Sequence, residues 1–217
     1  MKAVSSRGVV YRELVRYDYA LADFNRALSI DLGYAWAIAG RGETYRLMGR
    51  LDATLADFDH AIDLDPDYAW AIACRGRVHL KREELQSAVA DFDRALSLDS
   101  ALDWVLLLRA RAHRSCRRYA DALADFDRLV RKDPDNAEYV GKRGRILLAM
   151  RSLHEAQADF DRAADLVPSL DWARWLELGC CGFLDNSPGA CGTLEAMLWG
   201  IWPAVVLSLL ITAERCW

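Results

Sequence analysis

Proline and glycine are scarce in this chain, at 5 and 13 of 217 residues, which argues against an architecture of many short strands joined by tight turns. Cysteine is scarce as well. Six residues are too few for a small disulfide scaffold and none stands in a C-x-x-C pair, so a reducing compartment is the expected setting. Positive charge is not in excess: 28 Lys and Arg stand against 32 Asp and Glu, a net charge of −4, which opposes a surface built as a whole to hold nucleic acid. The first residues carry Lys2, Arg7, Arg12 and Arg16 but no apolar run long enough for a signal peptide, so no export signal is expected. What is present is a hydrophobic fraction of 53% beside 28% charged residues, the balance of a soluble globular chain with a real core.

The dipeptide Asp-Phe recurs at Asp23-Phe24, Asp57-Phe58, Asp91-Phe92, Asp125-Phe126 and Asp159-Phe160, always 34 residues apart. A constant period without insertions marks a solenoid, because each unit has to present the same surface to its neighbour. When the windows are laid on one another, the eighth column holds Gly8, Gly42, Gly76, Ala110 and Gly144. The twentieth holds Ala20, Thr54, Ala88, Ala122 and Ala156, and the twenty-seventh Ala27, Ala61, Ala95, Leu129 and Ala163. Small residues at these places let two helices approach closely around the large Phe of the twenty-fourth column. Pro66, Pro134 and Pro168 in the thirty-second column are helix stops. Each window therefore reads as a helix of about 13 residues, a turn and a second such helix.

This pattern resembles the tetratricopeptide repeat, a 34-residue helix-turn-helix with small residues, an aromatic and a proline in the same order. The resemblance covers residues 1–170 as five units, 1–34, 35–68, 69–102, 103–136 and 137–170. It implies an all-α fold, a right-handed superhelical solenoid of antiparallel helix pairs, acting as a non-catalytic scaffold that binds a peptide or protein in its concave groove. Tyr11 and Tyr45 match the family's aromatic late in the first helix, whereas His79, His113 and Leu147 depart from it. The family's inter-helix glycine is kept at Gly49, with Val15, Glu83, Arg117 and Arg151 at the equivalent places, which weakens those turns. One branch of the family clamps a chaperone's terminal carboxylate with Lys and Asn. The matching places here hold Ser5, Val9 and Gly40, so that partner is not expected.

Where the family usually has an apolar residue, the seventh column holds Arg7, Arg41, Arg75, Arg109 and Arg143. At about 100° per residue this place falls within the face that packs on the partner helix, and a buried cation needs an anion. The twenty-third column supplies Asp23, Asp57, Asp91, Asp125 and Asp159, so the two columns read as a repeated structural ion-pair ladder. The competing reading, that these arginines bind a ligand, is disfavoured because the seventh place points away from the groove.

The expected groove lining comes from the other side of each first helix. Trp36, Trp70, Trp104 and Trp172 stand in the second column, interrupted by Lys2 and Glu138. Val9, Glu43, Arg77, Arg111 and Arg145 stand in the ninth, and Arg12, Arg46 and Arg114 in the twelfth, with Lys81 beside it. The result is a basic stripe edged with Trp on an acidic chain, suited to an acidic partner with aromatic or aliphatic anchors. Asp93 and Asp127 read as acidic markers of the opposite, convex face. The plainer reading is that each Trp packs on the preceding repeat and each Arg is solvated, repeating because whole units were duplicated. Both readings stay open at this stage.

Neither a phosphate loop nor an H-E-x-x-H, G-x-S-x-G or EF-hand string occurs, so no catalysis, cofactor or metal is expected. His79 and His113 share a column without other ligands at metal spacing, and Cys180, Cys181 and Cys191 read as ordinary thiols. After residue 170 the pattern degrades into a sixth unit at 171–200 and an apolar helix at 201–217. Met197 to Ala213 carries no charge over 17 residues, about 25 Å of helix against a hydrocarbon core of about 30 Å. A cap over the end of the solenoid is expected there; a membrane-tethered assembly factor and a non-native or truncated end are the alternatives. At the other end Met1 opens directly on a window, which leaves an apolar solenoid face to be covered by a partner or further chain, or to fray. A nucleic-acid-binding helical array is the remaining rival, opposed by the period and the net charge, and the expected location is cytoplasmic.

Overall fold

A first helix of 12 or 13 residues followed by a second of 14 recurs every 34 positions in the computed structural model, which describes residues 1–167. The pairs are α1 (Lys2–Glu13) with α2 (Tyr17–Ile30), α3 (Ala35–Leu47) with α4 (Leu51–Leu64), and α5 (Ala69–Lys81) with α6 (Leu85–Leu98). They continue with α7 (Asp103–Ser115) and α8 (Tyr119–Lys132), then α9 (Ala137–Ala149) and α10 (Leu153–Leu166). No strand occurs among the described residues, and the fold is an all-α solenoid of helix pairs. The expectations for 171–200, 201–217 and the apolar run 197–213 lie outside the described residues, as do Trp172, Cys180, Cys181 and Cys191.

Two turn designs alternate. Within a pair, the second residue after the first helix adopts the left-handed conformation, at φ 59° for Val15, 77° for Gly49, 62° for Glu83, 58° for Arg117 and 64° for Arg151. Its N–H reaches the carbonyl three residues back, and the next N–H reaches five back, as in Glu83 to Leu80 at 3.2 Å and Glu84 to His79 at 2.9 Å. This double bond closes the helix and is made in all five turns, so the missing glycines cost conformational energy without changing the turn. Between pairs the helix stops at an aspartate, and the Asp31, Asp65 and Asp99 side chains accept from the N–H of Gly33, Asp67 and Ala101 at 3.0, 3.3 and 2.9 Å. Pro66 and Pro134 follow such aspartates and prevent the helix from continuing.

Left-handed backbone costs a side-chain-bearing residue about 1–2 kcal/mol, of which the greater unfolded-state freedom of glycine returns about 0.5–1. Val15→Gly and Glu83→Gly should therefore each stabilise the domain by roughly 0.5–1 kcal/mol, Val15 the more because it is β-branched. Chemical denaturation midpoints check this. Unchanged or lower midpoints in both variants would contradict the turn assignment.

The phenylalanines fill the space between pairs. Phe24, Phe58 and Phe92 are fully buried and Phe126 nearly so, lying against the small eighth column. A Cβ added at Gly76 would stand 2.9 Å from the Phe92 ring and 3.0 Å from the Asp91 Cβ, which explains the preference for glycine there. Phe160, expected to be buried like the others, is half-buried. It belongs to the last described pair, and no described helix follows to cover it. Beyond helices adjacent in the chain, packing joins α1 to α3, α3 to α5 and α5 to α7. The first helices therefore crowd together along the inner side of the array.

Candidate functional site

The arginine column is seated by its own aspartate in every pair. The Nε and Nη2 groups of Arg7, Arg41, Arg75 and Arg143 donate in parallel to the two carboxylate oxygens of Asp23, Asp57, Asp91 and Asp159, at 2.6–2.8 Å. Arg109 holds Asp125 in the same way. The aspartates are buried, while the side chains of Arg41, Arg75, Arg109 and Arg143 stay about one-fifth exposed. The bond from Arg7 holds the Asp23 carboxyl below the usual carboxylate range, and the bond to Asp91 raises Arg75 further.

A third arm was not apparent from the sequence. Nη1 of Arg41, Arg75, Arg109 and Arg143 donates backwards to Asn25, Asp59, Asp93 and Asp127 of the preceding pair, at 2.9, 2.8, 2.7 and 3.1 Å. Each arginine thus ties two consecutive pairs together, and Asp93 and Asp127 are ladder members rather than free markers of the convex face. The signal was present in the twenty-fifth column, which is Asn or Asp in all five windows.

Along the inner helices the basic stripe is divided. Glu43, 8% exposed, lies between Arg46 and Arg77. Arg46 donates to both its oxygens at 2.8 and 2.9 Å, and Arg77 Nη2 to one at 2.7 Å. Burial pushes the Glu43 carboxyl up, but the hydrogen bond from Arg46 and the charge of Arg77 outweigh this and leave it below its ordinary value. The Arg77 guanidinium also lies over the Trp104 ring, 5.7 Å from its centre. Two of the stripe's arginines are thus already committed to a buried carboxylate. Arg111 is exposed and Arg114 half-buried, and among the described residues neither side chain makes a hydrogen bond or ion pair. Arg145 is half-buried and engaged.

The tryptophans combine packing with exposure. Trp36 and Trp70 set an edge against Phe24 and Phe58 of the preceding pair, at 6.5 and 6.2 Å between ring centres, and face Tyr34 and Tyr68 at 6.0 Å. Trp36 nevertheless stays 38% exposed, and Trp70 and Trp104 are half-buried. Trp104 lies on the first helix that also carries Arg111 and Arg114, so flat apolar surface and uncommitted positive charge share one element.

Because the Glu43 carboxyl is depressed, its contribution is fully present above the unfolded value of about 4.5 and is lost as pH falls through the lower folded value. Glu43→Gln should therefore destabilise the domain by about 1–3 kcal/mol at pH 7, with the gap closing below pH 4. Paired unfolding curves of the two proteins from pH 7 to pH 3 measure it. A gap that widened on acidification would contradict the pairing.

Comparison with known proteins agrees with this architecture. Residues 37–68 and 107–171 match family models described as tetratricopeptide repeat. Among solved structures, YrrB, described as a TPR protein with an unusual peptide-binding site, superposes with a TM-score of 0.68 at 20% identity, over 81% of this chain and 90% of that one. MamA from Desulfovibrio magneticus RS-1 gives 0.70 at 16% identity, over 78% and 96%. A tetratricopeptide repeat protein from Parabacteroides merdae gives 0.63 at 20%, over 79% and 66%. The chain is a tetratricopeptide repeat protein. No curated protein sequence matches it.

The departures of this tetratricopeptide chain from its family pattern have local explanations. His79 Nδ1 is 2.5 Å from Glu84 Oε2, and His113 is buried, its pKa lowered by desolvation. Cys74 is buried beside Arg77 and its thiol is pushed up to about 12 by burial, so it is no nucleophile at neutral pH. Among the described residues no cluster of three potential metal ligands occurs, and no helix is long and apolar enough to cross a membrane.

Proposed function

We propose that this tetratricopeptide array is a non-catalytic, cytoplasmic scaffold that holds a peptide or protein on the inner face of its first helices, chiefly along α7. The partner offers acidic side chains to Arg111 and Arg114 and an aromatic or aliphatic anchor to Trp104 and Trp70. One observation carries this reading: Arg111 and Arg114 share a helix with Trp104 and have no described counter-charge, whereas Arg46 and Arg77 are neutralised by Glu43. Arg46 and Arg77 are thus neither merely solvated nor free for a guest, which leaves α7 for one. A peptide-binding site in the similar YrrB fold supports the class of partner.

The experiment is affinity capture from the native cell with wild-type protein and with the Arg111→Ala, Trp104→Ala double variant. Proteins retained by the first and lost by the second are groove partners. Equal retention by both would refute the assignment. A salt titration of the captured complex separates a nucleic acid, whose binding falls steeply with salt, from a mixed apolar and charged protein contact.

A further inference from the structure

A crevice of about 390 Å3 opens between the fourth and fifth helix pairs, lined by Asp127, Val130, Arg131, Pro134, Arg143 and Arg162. Its volume is that of a small-ligand site. It stands apart from the inner face, because Arg143 lies on the side of α9 that packs on α10 through Asp159.

Three guanidinium groups and one carboxylate share this lining. Arg143 Nη1 donates to Asp127 at 3.1 Å, the longest of the four backward bonds, and Arg162 Nη2 donates to the Pro134 carbonyl at 2.7 Å. Arg131 is exposed and makes no hydrogen bond or ion pair among the described residues. A guanidinium carries five N–H donors, so all three arginines keep donors to spare. The excess of positive charge is particular to this junction. Ser29, Asp63 and Ser97 hold the place of Arg131 in the earlier windows, and where Asp63 stands the repeat sets two carboxylates, Asp59 and Asp63, beside two arginines, Arg75 and Arg94.

We propose that this crevice binds the phosphomonoester group of a small molecule. Three cations less one carboxylate leave a local charge of +2, which matches the roughly −1.5 to −2 of a phosphomonoester at pH 7. Forked guanidinium groups pair in parallel with phosphate oxygens, and Val130 and Pro134 offer an apolar wall to the organic part of the ester. Arg143 and Arg162 have counterparts in Arg109 and Arg128 one junction earlier, so Arg131 is the residue that makes the difference. The inference does not rest on the groove reading.

The test is calorimetric titration of the full chain with phenyl phosphate in a low-salt buffer free of phosphate. Wild type should bind it saturably, and Arg131→Ala should weaken binding at least about tenfold while unfolding at the same denaturant concentration. Benzoate, a flat monoanion, should bind at least about tenfold more weakly than phenyl phosphate. Ser97→Arg rebuilds the charge pattern one junction earlier, beside Asp93, Arg109 and Arg128, so it should take up one further equivalent per chain. No saturable binding, binding that Arg131→Ala leaves intact, benzoate bound as well as phenyl phosphate, or no added equivalent in Ser97→Arg would each overturn the proposal. So would a capped phosphoserine peptide that bound more tightly than phenyl phosphate, since it would give the site to a phosphorylated chain.

Discussion

Asp91→Ala will lower the unfolding free energy by about 3 kcal/mol, among the largest effects available to a single surface-distant substitution in this fold. The carboxylate is 9% exposed and receives two short parallel bonds from Arg75, so its removal leaves a partly desolvated guanidinium without its main partner. Breaking a buried pair costs about 3–5 kcal/mol. The lower end applies because Arg75 keeps some water and its backward bond to Asp59. The double change Arg75→Met, Asp91→Leu should recover most of the loss, since it removes both charges and fills the same space. In urea titrations, a single variant within 0.5 kcal/mol of wild type would show that the ladder adds nothing to stability.

Arg111→Ala combined with Trp104→Ala will weaken partner capture at least about thirtyfold, because truncating one interface hot spot costs about 2 kcal/mol or more. Trp104 supplies a flat apolar surface on α7 and Arg111 an exposed cation on the same helix. Arg46→Ala is the informative contrast. Arg46 is bound to Glu43, so its loss should reduce stability through that buried carboxylate more than it reduces capture. Were Arg46→Ala and the double variant to impair binding equally at unchanged stability, the division of the stripe would be wrong.

Much of the fold was legible because five equal spacings of Asp-Phe fix the unit length, and small residues beside Phe fix which helix faces meet. The arginine and aspartate columns were legible for the same reason: a cation within the packing arc demands an anion at a matching place. The backward bonds to Asn25, Asp59, Asp93 and Asp127 were not, because they depend on how one pair stacks on the next, which no single window contains. Glu43 was visible as one acid among several arginines, but its burial between α3 and α5 comes from the crowding of the inner helices. The left-handed turns at Val15, Glu83, Arg117 and Arg151 show a further limit. Helix closure there is made without glycine at a conformational cost, so the residue types pointed to the weaker turns but not to the bond pattern that all five keep.

The central claim, that a partner lies along the inner face of α7, is tested most directly by photocrosslinking from single positions in the full chain. A photoreactive residue at Leu107 on α7 should form adducts with the captured partner, whereas the same residue at Asp63 or Ala90, exposed on second helices, should form none. Adducts from Asp63 and Ala90 with none from α7 would contradict the account and move the binding surface to the outer helices.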